Sequence, residues 1–210
     1  MSMTYNSLTA QMIKYLNRAD TSTVDEIPTF ISNAEQRICR ECETVGLEQY
    51  VVGKFIPGTA VYPKPGRWRR NISMNFGSGI NDDVRSPIVL RVYEYLVKYW
   101  PNRTETGVPK FYSDYGYSNI LIAPTPDADY PFEWAYLELP QPLSPTVQTN
   151  WLTNYAPDAL LYATLLEAMP YLKNDTRLPI WQNLYDRSLA SLKHQDSERI
   201  FDRGSKRDSD

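Results

Sequence analysis

The apolar positions follow a helical period at both ends of the chain and a strand period in its middle. The densest apolar stretch is Pro157 to Met169, where only Asp158, Thr164 and Glu167 interrupt a run of Leu, Ala, Tyr and Met. A helix that is apolar nearly all round is buried on most sides. At about 13 residues it is too short to span a bilayer, which needs roughly 20. Pro157 suits a first helical turn, and Asp158 suits the positive end of the helix dipole. Pro170 limits how far the helix runs undisturbed. The stretch reads as the central helix of a bundle.

Two N-terminal helices are predicted to pack around it. Ser7 is a candidate cap for a first helix reaching Asn17, with Leu8, Met12, Ile13, Tyr15 and Leu16 as its apolar side. After a polar turn from Ala19 to Thr23, Val24, Ile27, Ile31, Ala34, Ile38 and Cys42 recur at spacings of three and four. Glu35, Gln36, Arg40, Glu41 and Glu43 occupy much of the opposite face. Pro28 places the start of this second helix near Ile27. Near the C-terminus, Asn174 or Asp175 can open a further helix, with Trp181, Leu184, Tyr185, Ser188, Leu189 and Leu192 forming its apolar face.

Between these helices the pattern turns to strands. Gln49 to Ile56 reads as one strand, Pro57-Gly58 as a turn and Ala60 to Pro63 as a short return strand. Asn71 to Phe76 alternates, with Ile72, Met74 and Phe76 on one side. Gly77 to Ser86 is a polar loop and Pro87 to Val92 is β-prone. Tyr93 to Trp100 reads as a short helix with Leu96, Tyr99 and Trp100 inward. Lys110 to Tyr115, Asn119 to Ala123 and Phe132 to Leu139 are three further strands, and Phe132, Trp134 and Tyr136 share a face of the last. The expected fold is α+β: a helical bundle from residues 1–46 and 141–196, a β-rich insertion or projection over 47–140, and an extended polar tail over 197–210.

Composition narrows the chemistry. The 210 residues suffice for a real core. Sixteen Tyr raise the expectation of large subunit interfaces, because Tyr suits surfaces that are apolar at one end and polar at the other. A net charge of −3 gives no global basic field for nucleic acid. No signal peptide and no membrane-length apolar run are read, so synthesis in a host cytoplasm is expected, without a membrane partner.

Catalytic and metal constellations are not found. Cys39 and Cys42 lie late in a predicted helix, with no second Cys pair and His194 as the one His, so a closed zinc site lacks ligands. Asp82-Asp83 and Asp127-Ala-Asp129 fit ordinary turns better than a cation site. Gly77-Ser-Gly79 lacks the strand, helix and Lys of a phosphate loop. No catalytic residue, cofactor or metal is assigned. The sharpest local feature is Lys64-Pro-Gly-Arg-Trp-Arg-Arg70, with four basic residues and one Trp in seven positions. For Arg67, Trp68, Arg69 and Arg70 three readings stay open: a subunit or nozzle interface, a phosphate contact with an aromatic platform, or a solvated hairpin face.

A set of ordered motifs also resembles a known family. Gly107-Val-Pro-Lys-Phe-Tyr-Ser-Asp-Tyr-Gly116, Ile120-Leu-Ile-Ala-Pro-Thr-Pro126, Tyr136-Leu-Glu-Leu-Pro140 and Thr149-Asn-Trp-Leu152 carry it, together with the apolar helix, Tyr171-Leu-Lys-Asn-Asp175, Trp181 to Tyr185 and Ala34-Glu-Gln-Arg-Ile38. In order and spacing they are similar to the head-to-tail adaptor (connector) proteins of short-tailed bacteriophages, over about Asn6 to Leu192. The resemblance implies a structural virion protein of the tail or neck and not an enzyme. It implies a homo-oligomeric ring, a dodecamer, with a portal protein above and a tail nozzle or tube protein below. Genome DNA would pass through without sequence specificity, and tail fibres are a further expected partner. It assigns the tail, with Arg199, Ile200, Phe201, Arg203, Lys206 and Arg207, to portal binding. The alternatives are another tail component, such as a tail terminator or fibre-attachment protein, and a carboxylate-dependent glycan hydrolase.

Overall fold

The computed structural model describes residues 3–42, 47–77, 84–172 and 177–205, with backbone alone over 196–205. The chain divides into two compact units, Met1–Leu47 with Pro140–Asp210, and Glu48–Leu139. The class is α+β, with a helical bundle and a β-rich insertion.

The first unit is helical. Helix α1 (Tyr5–Leu16) is capped by Thr4, not Ser7. Ser7 instead closes a capping box, accepting from the Thr4 N–H at 2.8 Å while Thr4 Oγ1 accepts from the Ser7 N–H at 3.1 Å. Helix α2 (Thr21–Glu41) starts six residues before the expected Ile27 and runs through Pro28. Asp20 caps it, accepting from the Thr23 hydroxyl and N–H and the Ser22 hydroxyl. Those hydroxyls, Thr23's first, hold its carboxyl down at about 2. Pro28 is tolerated because it is exposed, so water can reach the carbonyl deprived of its donor.

Helix α4 (Trp151–Tyr155) leads into α5 (Pro157–Leu172), which retains Pro170 in its last turn. Helix α5 packs against α1, α2, α4 and α6 (Leu178–Ser205). Ala159, Leu160, Leu161, Ala163, Leu165, Leu166, Ala168 and Met169 are all buried, as expected of a central helix. Leu8, Met12, Ile27, Ile31, Ala34, Ile38, Trp181, Tyr185, Leu189 and Leu192 close the core around it. Tyr15 was expected on the inner face of α1 but is 44% exposed, one position off the Leu8–Met12–Leu16 stripe. Arg37 ties three helices together through Glu41 of α2, Glu167 of α5 and the ring of Tyr185 on α6. Helix α6 stays helical to Ser205, well into the stretch expected as a tail. The proposed start at Asn174 or Asp175 lies outside the described residues.

The second unit is built on a seven-stranded curled sheet in the order β1-β9-β3-β4-β6-β7-β2. Its strands are β1 (Glu48–Phe55), β2 (Val61–Pro63), β3 (Trp68–Phe76), β4 (Ser86–Leu90), β6 (Phe111–Tyr115), β7 (Asn119–Ala123) and β9 (Tyr130–Glu138). Only β4 and β6 pair in parallel within it. The short parallel pair β5 (Thr106–Gly107) and β8 (Thr125–Pro126) lies apart from that order, and α3 (Tyr93–Tyr99) follows β4.

Three expectations for this unit fail. The strands at 49–56 and 60–63 do not pair as a hairpin: β1 pairs with β9, and β2 pairs with β7. The two outer strands meet only at a corner, where the Ile56 N–H donates to the Tyr62 hydroxyl (2.7 Å) and the Phe55 and Tyr62 rings lie 5.1 Å apart. Ile72 is 43% exposed, not inward with Met74, because the β3–β9 register shifts between Asn71 and Ser73. Tyr99 is likewise 46% exposed, while Leu96 is buried.

Strand β7 feeds two apolar clusters. Ile120 and Ile122 enter a cluster with Phe55, Met74, Trp134 and Tyr136. Leu121 and Ala123, on the alternate face, enter a smaller cluster with Leu96, Trp100 and Phe111. A strand buried on both faces reads as a continuous apolar run, which is what Ile120-Leu-Ile-Ala123 is.

Leu160 is fully buried at the centre of the first unit. Leu160→Ala should destabilise the protein by about 2–5 kcal/mol, measured by urea unfolding followed by far-UV circular dichroism. A loss below about 1 kcal/mol would mean that the site collapses around the cavity.

Candidate functional site

The basic stretch sits at the turn from β2 into β3. The Trp68 N–H donates to the Pro65 carbonyl (3.3 Å) and Arg67 adopts a left-handed φ of 57°. Its carbonyl still joins the sheet, accepting from the Leu139 N–H at 2.9 Å. Both Nε and Nη2 of Arg67 donate to Glu138 Oε1, at 3.1 and 2.7 Å. Trp68 is half-buried against the larger core of the unit. Lys64 Nζ lies 3.8 Å from its ring centroid and 3.1 Å from Asp114. One face of the indole is thus already covered by a cation.

The Trp68 Nε1–H donates to Asn71 Oδ1 at 3.2 Å, and the Trp134 Nε1–H donates to the same oxygen at 2.9 Å. One amide therefore satisfies two indoles, and Trp134 is only 2% exposed. Arg69 and Arg70 are differently placed. The register shift between Trp68 and Arg70 takes Arg69 out of the ladder, and Arg70 is exposed. So Arg67 and Trp68 hold the turn together, Arg69 is half-buried at the bulge, and Arg70 is exposed.

The tail residues are partly described. Arg199, Ile200, Phe201 and Arg203 lie on the helical backbone of α6. Lys206 and Arg207 lie outside the described residues, as do Asp82 and Asp83. Cys39 and Cys42 are both buried at the end of α2. Among the described residues no group of three or more His, Cys, Asp or Glu side chains is placed to hold a metal ion. No helix among them is long and apolar enough to cross a membrane.

One polar group escaped the sequence reading. Glu35, expected on the solvent face of α2, is 5% exposed. Both its oxygens lie 3.3 Å from the Leu143 N–H, and Asn150 Nδ2 donates to Oε1 at 2.6 Å. Asn150 also caps α4 through the Thr153 N–H and donates to the Gln141 carbonyl. Glu35 thus fastens the returning connector, before α4, onto α2. The signal was legible: Ile31 and Cys39 stand four residues either side of it, on the buried face. Burial drives its carboxyl up from 4.5 to about 7, against the lowering effect of its two donors.

The family model described as SU10 adaptor protein matches residues 3–207. No curated protein matches the chain.

Two outcomes are expected here. Folding raises the Glu35 pKa, so the folded state holds more protons than the unfolded one between about pH 4.5 and 7. Stability should therefore fall as pH rises through that window, by up to about 3 kcal/mol from this group. Glu35→Gln should flatten that slope in urea titrations run across the window. An unchanged slope would show that Glu35 titrates normally. Separately, Asn71→Leu should cost about 1–3 kcal/mol per stranded indole N–H, and Trp fluorescence should report a less stable β unit on denaturation.

Proposed function

The chain belongs to the SU10 adaptor protein family, and from that membership we propose that it forms the ring connecting the portal to the tail. It is a phage adaptor, a structural component of the tail or neck. The proposed ring is a dodecamer whose subunits meet by a heterologous, closed contact, so each copy uses two different faces. A portal protein binds on one side and a nozzle or tube protein on the other. Genome DNA passes through the middle, and a net charge of −3 suits a channel that neutralises few phosphates.

The family match over residues 3–207 carries this reading. The helices flanking a β-rich insertion support it. Within it, the stretch 197–210, with Arg199, Ile200, Phe201, Arg203, Lys206 and Arg207, is the portal-docking segment. Arg67, Trp68, Arg69 and Arg70 form the subunit or nozzle interface.

Purified protein mixed with portal rings from the same virus should add a collar of density with cyclic symmetry in negative-stain images. Deleting residues 197–210 should abolish the collar. A collar that survives the deletion removes the tail assignment but keeps the connector role. Failure of the intact chain to bind assembled portal overturns that role.

A further inference from the structure

Helix α3 leans its rings on strand β6 but leaves much of their apolar surface exposed. Of its seven residues only Leu96 is buried, while Tyr93, Tyr95, Val97 and Tyr99 are 37%, 38%, 45% and 46% exposed. A helix that merely covers a sheet turns its apolar stripe inward and its polar residues outward. Leu90 and Val92, just before it, are 46% and 68% exposed. Exposed apolar patches rimmed by polar residues mark interaction sites. These rings are also held in place. Tyr95 and Tyr99 stack at 5.9 Å between centroids, and both meet Phe111 edge-on, at 5.4 and 5.1 Å. Docking onto fixed rings loses little side-chain entropy.

A cleft of about 180 Å³ opens beside the helix, lined by Leu96, Val97, Trp100, Leu121 and Arg103 among others. An apolar cavity of about 150 Å³ accepts a benzene-sized ring, so this one has room for a single Phe or Leu side chain. The surrounding charge points to the character of what enters. Elsewhere in the unit Lys64, Arg67 and Arg85 each pair with a carboxylate. Around α3, among the described residues, Arg91, Lys98 and Arg103 have no carboxylate in ion-pair reach. Arg91 lies over the Tyr95 ring, and Arg103 lies over Tyr115 and donates to the Tyr93 hydroxyl. Glu94 and Glu105 are the acids of this stretch, which leaves it net positive.

We propose that α3 and its cleft form a docking site for an acidic segment of a partner protein, which inserts one apolar side chain between Val97 and Arg103. The apolar residue fills the cleft, and flanking Asp or Glu residues meet the guanidinium of Arg103 at its wall. Rings and arginines are the residue types that carry binding energy at protein interfaces. The proposal goes beyond the connector reading, because it requires neither a ring nor a portal.

The test uses fluorescence anisotropy with a short labelled peptide holding a central Phe between Asp and Glu residues. Two matched peptides replace the Phe by Ser, or the acids by Lys. The first should bind saturably, and the other two at least about tenfold more weakly. Val97→Glu and Arg103→Glu should each weaken the first peptide about tenfold, with an unchanged circular dichroism spectrum. Absent binding, equal binding of all three peptides, or variants that bind like the parent would overturn the proposal. If Val97→Glu instead dissociates an oligomer in sedimentation, the occupant is a second copy and the acidic partner falls. The same variants are scored for the portal collar. Failure of the unsubstituted chain there sinks the connector reading alone, and indifference to the peptides sinks only this one.

Discussion

A helix without a polar face has to be enclosed, and the first unit follows from that requirement. Helix α5 offers buried positions almost all the way round its axis, so one neighbour cannot cover it. Helices α1, α2, α4 and α6 each bring a one-sided apolar stripe to it. The charged group at Arg37 joins α2 and α6 to α5 itself. The hydrophobic term is non-directional. The polar fastenings add what it lacks: Glu35 sets where the connector lies on α2, and the Thr4–Ser7 and Asp20 caps set where helices begin.

The second unit answers a different constraint. Its last strand, β9, pairs with both its first strand, β1, and with β3. Opposite Leu137 stands Glu48, so the entry and exit of the insertion are neighbours in one ladder. An insertion whose ends are held together this way costs its host little loop-closure entropy. The close fit extends to Gly53, where a Cβ would meet the Phe132 ring at 2.7 Å. Phe132 in turn stacks on Phe55 at 4.5 Å.

Helices with one clean period were legible in the sequence. So were the strand runs at 119–123 and 132–139. Much of what escaped depended on residues far apart in the chain. The partner of β1 lies some eighty residues away, and nothing local in Gln49 to Ile56 names it. The nearby Pro57-Gly58 turn suggested a hairpin instead. Ile72 obeyed the alternation on paper, but a bulge moved it out. Pro28 was weighed as a helix breaker, whereas the strength of the Asp20 cap upstream and the exposure of the proline decided otherwise. At the basic turn, charge density was visible. That Arg67 and Trp68 are engaged within their own unit, through Glu138, Lys64 and Asn71, was not, because all three contacts depend on the folded turn or on a distant strand.

The discontinuous first unit sets an order of events during synthesis. Helices α1 and α2 leave the ribosome with their apolar stripes unmatched, since α5 lies beyond the whole insertion. At about 5–20 residues per second the wait is on the order of ten seconds. The β unit is contiguous in sequence and can complete its sheet as soon as β9 emerges. The bundle closes last, around a helix made late. For that interval the nascent chain displays the stripe Ile27–Ile31–Ala34–Ile38 to its surroundings, and it is then that a chaperone, or a neighbouring chain, has its opening.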